Sequence, residues 1–419
     1  MSRRNNFRQG QECMTKQSGK LRRNIHFPML VLYGVGTMVG AGFYALAGKV
    51  AGVAGLFAPI AFGLAGLLAL FSALAFAELS SRLPHAGGSA RYVEAAFARR
   101  WLSAVVGWLI ITTGVVSSAT LTVATVRFIE DFISVPQAVA IIVVALFLGG
   151  VAVWGVRQAV SVVVGICLLQ IATLLYVAYA ATTLPDPTSV TWSQLVPPLE
   201  GGAWIAILSA SFLAFYAFIG FEDMVTMAEE VEDVRSDMPW ALILSLVITA
   251  ILYMLVSTSL VTAVSPQTLS EAKTPLAEAV RHHGTLAVGL IGVISILSAL
   301  NSALVQLMMV ARVAYGMADR NYAPQALGKV SQRTQTPWLA TVLATAAIMV
   351  LALSLEMTTL ANATSVVLLG VFTMVNIALW WLKGQDGKGH AKYFNLPRWV
   401  PLLGATVSLA ALTFKLIQW

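Results

Sequence analysis

Glu222 and Asp223 follow nineteen residues, from Ala203 to Phe221, that carry no charge. Acids in such a place can hold a cation or exchange a proton inside an apolar medium. A charged Asp at the centre of a membrane helix costs about 2.5–3.5 kcal/mol on insertion scales, so an acid retained there is a functional candidate. The competing reading ends the apolar stretch at Phe221 and makes both carboxylates interfacial, because Glu229, Glu230, Glu232 and Asp233 follow soon after. Against it, Met224 to Ala228 resumes an apolar run, and Gly220 stands where a hinge would be.

The second candidate is backbone rather than side chain. Gly34-Val35-Gly36-Thr37-Met38-Val39-Gly40-Ala41-Gly42-Phe43-Tyr44 interrupts an apolar segment with glycine. Gly36 and Gly40 form a GxxxG pair, which could simply let two helices approach closely. The functional alternative is that Gly40-Ala41-Gly42 unwinds the helix. Its freed N–H groups, at the positive end of a half-helix, would then face a carboxylate. A segment poor in side chains suits that role, because the ligand must reach the backbone. A dinucleotide loop is excluded: no strand precedes the glycines and no βαβ unit follows. Gln170 and Asn301-Ser302 are polar residues in otherwise apolar runs, and hydrogen bonding between helices is their simplest role.

Membrane helices must position these residues. The chain has 419 residues, 58% hydrophobic and 11% charged, with a mean hydropathy of +0.80. Soluble proteins average about 25% charged residues. A span needs about 20 apolar residues, and about eleven segments qualify: near 27–49, 54–79, 101–127, 137–155, 159–182, 203–228, 239–263, 285–315, 336–355, 359–382 and 399–417. Lipid does not tolerate unpaired backbone, so a helix broken at membrane depth must line a cavity or be buried in protein. The two broken segments begin roughly 176 residues apart at matching places in two halves, the pattern that points to a transporter's substrate site.

The expected layout is a cytoplasmic tail at 1–26, spans one to five at 27–182, spans six to ten at 203–382, and a loop with an eleventh span at 383–419. Five spans per half is odd, so the second half enters the membrane in the opposite sense, the condition for an inverted repeat. With the N-terminus inside, about 21 of the Lys and Arg residues fall on the cytoplasmic side, against five outside (Lys49, Arg127, Lys273, Arg281, Lys415). The C-terminus is then outside. The polar, basic stretch before His26 is too long for a secretory signal, and the apolar run after it is too rich in glycine.

The net charge of +7 is loop charge and implies no nucleic-acid partner. Cys13 and Cys167 are poorly placed for a disulfide, and the histidines show no metal-ligand spacing. No HExxH or GxSxG motif supports a membrane-embedded enzyme. Ala77 to Tyr92 reads as a helix end, a Pro/Gly turn and a re-entering amphipathic helix, either a cytoplasmic gate or a solvated loop.

These strings resemble a known family. GVGTMVGAGFYALAG is similar to the unwound first helix of the amino acid–polyamine–organocation transporters. FAELSSRLPHAGGSARYV resembles the end of their second span and the loop after it. FIGFEDMVTMAEEVEDVRSDMPWAL resembles their sixth helix, closest to the cationic-amino-acid-transporter-like bacterial branch. ARVAYGMADRNYAPQALGKVSQRTQTP and FNLPRWVPLLGA are similar to later loops. The resemblance implies an all-α polytopic membrane protein with a LeuT-type 5+5 inverted repeat and one additional C-terminal helix. It implies a permease of the plasma (bacterial inner) membrane that moves an amino acid by alternating access, without cofactor or metal.

Carried over, the carboxylate-binding backbone is Gly40, Ala41 and Gly42, with Met38 just before. The sixth-helix break is Tyr216, Ala217, Phe218, Ile219, Gly220 and Phe221. Glu222 sits where a relative carries a carboxylate implicated in proton sensing. Gln170 falls where proton-coupled relatives carry a lysine, and an amide cannot cycle a proton. Asn301 is the further coupling candidate. The expected binding mode puts the substrate carboxylate on the first break and its ammonium near Ala217 and Phe218. Tyr216, Phe218 and Phe221 would close over the side chain, which favours neutral or apolar amino acids. If Glu222 faces the pocket, a cationic amino acid or polyamine is the alternative; a non-transporting sensor with the same pocket is another. Proton symport through Glu222 and exchange both remain open, and the oligomeric state is not specified.

Overall fold

The computed structural model describes residues 25–84, 88–154, 160–183, 190–199, 201–228, 230–331, 333–334, 336–385 and 394–417. Residues 1–24 of the expected tail (1–26), Cys13 among them, and Arg157 lie outside them. The described residues are helical almost throughout: α1 Phe27–Met38, α2 Ala41–Ala54, α3 Ala58–Arg82, α4 Gly88–Phe97, α5 Arg100–Ile129, α6 Gln137–Trp154, α7 Val160–Thr182, α8 Gly201–Phe215, α9 Val234–Ala263, α10 Pro266–Glu271, α11 Pro275–Glu278, α12 Thr285–Asp319, α13 Trp338–Ser354, α14 Met357–Gln385 and α15 Trp399–Ile417. Among the described residues, nine stretches are long and apolar enough to cross a membrane, and α1 and α13 are shorter apolar helices. The difference from about eleven expected spans has two sources. The first expected span, 27–49, is cut after Met38, so its second part runs on with the next helix as Gly42–Arg82. The ninth, 336–355, forms a helix of only 17 residues. The chain is an integral membrane protein.

Two groups of helices surround the breaks. In one, α3 packs on α9 and α8, α1 packs on α9, and α2 packs on α8. Small residues allow this closeness, as in other membrane bundles where apolar lipid supplies no hydrophobic drive. On α3, Ala61, Ala65, Ala69, Ala73 and Ala77 recur every four residues along one face, and all are fully buried. At Gly66 an added Cβ would stand 3.1 Å from Ala250 of α9 and 3.2 Å from the Phe218 ring. In the other group, α5 packs on α12, and α13 packs on α6, α12 and α5. Gly107 and Gly114 of α5 lie directly against Met317 and Val310 of α12. Outward faces carry exposed apolar side chains, such as Val143, Leu146 and Phe147 on α6 and Ile251 on α9. They are the surfaces that lipid would cover.

A buried ion-pair cluster ties one end of the bundle together. Glu78, fully buried near the end of α3, accepts hydrogen bonds from Arg82 Nε (2.9 Å) and from the Leu396 N–H (3.0 Å), and pairs with Lys383 Nζ of α14. Beside it, the Ser81 hydroxyl donates to Arg235 O at 2.8 Å and accepts from the Phe394 N–H at 3.2 Å. The amphipathic helix expected after the Pro84 turn is α4, which buries Tyr92, Val93 and Ala96 and packs on α5 and α14. His85, Ala86 and Gly87 lie outside the described residues.

Candidate functional site

The first break is only two residues long. After Met38 the backbone leaves the helix at Val39 (φ −72, ψ 47) and runs extended through Gly40 (φ −92, ψ −162). The Gly40 N–H is occupied, donating to Met38 O at 2.7 Å. Ala41 and Gly42 already belong to the first turn of α2. As at any helix start, the N–H groups of that turn have no intrahelical acceptor, and the partial positive charge there favours an anion. The free donors therefore begin at Ala41, one residue beyond the glycine that makes the bend. Gly40 is needed for contact: a Cβ there would run into the Ser302 hydroxyl of α12.

The second break is longer. The helix α8 tightens into a 3-10 turn at Tyr216–Phe218, Ile219 is extended, and Gly220 takes φ 126 before a second 3-10 stretch, Phe221–Met227. Gly220 is required twice over. Its φ is one that side-chain-bearing residues rarely adopt, and an added Cβ would stand 2.6 Å from Thr37 O of α1. Glu222 closes this bend, its carboxylate accepting the Gly220 N–H at 2.9 Å.

One side chain joins the two breaks. The Tyr253 hydroxyl of α9 lies 2.7 Å from Met38 O and 3.0 Å from Ala217 O. Its single proton is shared between the C-terminal carbonyls of α1 and those of the α8 turn. Its ring stacks on Phe43 with centroids 4.3 Å apart and meets Phe218 edge-on at 5.2 Å. Nothing in the sequence motifs marks Tyr253; its signal would have been a tyrosine at mid-depth in an apolar helix.

Both breaks border one cavity with about 520 Å³ of empty space. Met38, Gly40 and Gly42 line it from the first break, and Tyr216, Ala217 and Ile219 from the second. Ser117 of α5 and Asn301, Ser302 and Gln306 of α12 bring polar groups to a wall that also holds Leu121 and Val305. The Tyr216 hydroxyl is held by Ser117, 3.0 Å from its Oγ. Phe218 and Phe221 are fully buried and do not line the cavity. Phe221 packs instead against Phe76 and Phe372.

The two acids part company. Asp223 lines the central cavity, whereas Glu222 lines a second cavity of about 1320 Å³ of empty space that also borders Arg312, Arg320 and α4. Asp223 and Gln306 border both cavities. Their side chains meet at 3.2 Å, Gln306 Nε2 donating to Asp223 Oδ2.

Gln170 of α7 stands apart from both cavities. It is buried, and its amide donates to Ser298 Oγ at 2.9 Å, while its backbone carbonyl accepts from the Tyr44 hydroxyl at 3.1 Å. Its Oε1 is buried without a hydrogen-bond partner among the described residues.

A profile of the amino acid permease family matches residues 26–417. The chain belongs to that family. The permease is 28% identical over 382 residues to the mitochondrial cationic amino acid transporter 3 of Arabidopsis thaliana, a match covering 86% of this chain and 62% of the relative. It therefore spans less than two thirds of that relative's length. It is 28% identical over 404 residues to an uncharacterized transporter of Mycobacterium tuberculosis, covering 95% of this chain and 87% of the relative. It is 25% identical over 394 residues to the branched-chain amino acid permease of Bacillus subtilis, covering 88% and 83%. These relatives place the permease in the amino acid–polyamine–organocation superfamily and support a transporter role.

Proposed function

We propose that the chain carries an amino acid across a cytoplasmic membrane by alternating access, binding it between the two breaks. One observation carries this reading. The start of α2 and the end of the α8 turn, one end rich in N–H groups and the other in carbonyls, border the same cavity. A zwitterion needs both ends, and half-helix termini supply them without a fixed side-chain ion. The carboxylate sits at the Ala41 and Gly42 N–H groups, and the ammonium at carbonyls near Met38 and Ala217. Spans one to five (27–182) and six to ten (203–382) act as inverted halves, with 383–419 added outside the repeat and the N-terminus cytoplasmic. The helix group built on α1, α2, α3, α8 and α9 rocks against the group built on α5, α6, α12 and α13.

Neutral amino acids are the first substrate reading, because the central cavity holds one acid and that acid is already hydrogen-bonded to Gln306. A cationic side chain is the second, favoured by the same Asp223 lining the cavity. Coupling rests with Glu222 and Asp223 in a proton symporter, or with neither in an exchanger; Gln170 cannot cycle a proton. Asn301 lines the substrate cavity and serves binding.

Uptake into proteoliposomes, with unlabelled amino acids competing, tests the reading. Saturable flux inhibited by a restricted set of amino acids is expected. Saturable binding without flux would make the protein a sensor, and no binding of any amino acid would overturn the reading.

A further inference from the structure

We propose that Lys49, Arg127 and Lys273 form an outer carboxylate subsite, which receives the substrate before it reaches the central cavity. The proposal rests on the amino acid carrier reading and deepens it. The three cations come from α2, from α5 and from the segment between α10 and α11, and all line one small cavity. No acid lines that cavity. Lys and Arg are scarce outside a membrane protein, and three of the few outer ones here converge on a single space.

That space lies on the path outward. Ala45 lines it one turn beyond Gly42 on α2, and Ala124 lines it one turn beyond Leu121 on α5, while Gly42 and Leu121 line the central cavity. A rise of about 1.5 Å per residue puts Lys49 roughly 10 Å along α2 from Gly42. An amino acid leaving this subsite therefore has its carboxylate one short step from the N–H groups at the start of α2.

The acids nearby lie outside the lining, and Glu130 already partners Lys273, which leaves Arg127 and the remaining Lys49 donors to grip a carboxylate. Glu130 pairs with Lys273 at 3.2 Å, and Asp131 takes the Thr274 hydroxyl at 2.5 Å. Glu271 and Glu356 act on Lys49 from outside the lining. The Lys49 ammonium donates to Ser270 O at 2.5 Å and keeps two further N–H donors. Arg127 is half-buried and has no hydrogen-bond or ion-pair partner among the described residues. Its planar guanidinium suits a carboxylate, which it can grip with two parallel hydrogen bonds.

Uptake kinetics of the reconstituted full chain test the proposal, with Arg127→Gln, Arg127→Lys and Lys273→Gln. Arg127→Gln is expected to raise KM about tenfold with kcat retained, since it removes attraction along the path and not at the central site. Arg127→Lys should fall between it and the parent. External propionate, a carboxylate without an ammonium group, should inhibit the parent and lose about tenfold in potency on Arg127→Gln. A parent that transports, with variants of unchanged KM and propionate sensitivity, overturns the subsite. A parent that moves no amino acid overturns the carrier reading instead. Melting of the purified full chain against propionate then decides the subsite alone: stabilisation lost in Arg127→Gln supports it, and equal stabilisation overturns it. If Arg127→Gln does not fold, the exposed Lys273→Gln is read in its place by the same criteria.

Discussion

Gln306 Nε2 donates to Asp223 Oδ2 at 3.2 Å, and this pair borders both the central cavity and the larger cavity beside it. On the proposed carrier reading, a substrate moving between the two spaces passes this contact. Asp223→Asn is isosteric and leaves the bend at Gly220 untouched, yet it removes the charge. Uptake in proteoliposomes is expected to fall at least about tenfold, as for loss of a charge-assisted hydrogen bond, with little change in melting temperature. Uptake equal to the parent would remove Asp223 from the transport path.

Glu222 and Asp223 separate by pH dependence. In a proton symporter, replacing the coupling acid by its amide flattens the dependence of uptake on external pH. Since Glu222 lines the larger cavity and caps the Gly220 N–H, Glu222→Gln should keep substrate competition patterns and flatten the pH profile. A profile superimposable on the parent's would assign coupling away from Glu222.

Tyr253→Phe retains the stack on Phe43 and removes the hydroxyl that serves Met38 O and Ala217 O. The two carbonyls lose a shared donor, at a cost of about 1–3 kcal/mol. A lower melting temperature together with a raised KM is expected. A fall in stability alone, with KM unchanged, would show that the hydroxyl holds the fold without shaping the site.

Gly220→Ala meets both a φ of 126 and the carbonyl of Thr37. Strain of that kind is about 1–3 kcal/mol, and relief by moving α1 would distort the cavity. Transport is expected to be lost in protein that still reaches the membrane. Full transport by Gly220→Ala would mean that the bend tolerates other backbone shapes.

Glu78→Ala takes the carboxylate from Lys383, whose side chain is only 6% exposed and keeps Asn395 Oδ1 at 2.7 Å. Breaking a buried pair in this way costs about 3–5 kcal/mol, read as a large fall in melting temperature. Adding Lys383→Met should recover part of it. No recovery would show that the Arg82 and Leu396 contacts, rather than the Lys383 pairing, account for the loss.

Much of this was legible in the chain. Long apolar runs can only satisfy their backbone in lipid as helices, so most span boundaries follow from composition. Glycine and charge mark the two breaks in the same way, because an interrupted helix at that depth needs residues that tolerate unusual backbone. What tertiary structure decided is where side chains point. A 3-10 stretch turns successive side chains by about 120° rather than 100°, so Asp223 reaches the central cavity as well as the larger one while Glu222 lines only the larger, and Phe218 and Phe221 turn into the core. Tyr253 joins the two breaks across more than two hundred residues of sequence, through a contact that no local pattern encodes. Lys49, Arg127 and Lys273 are separate loop-end charges in the sequence. Only the packing of α2 and α5 beside the α10–α11 segment brings them to one cavity.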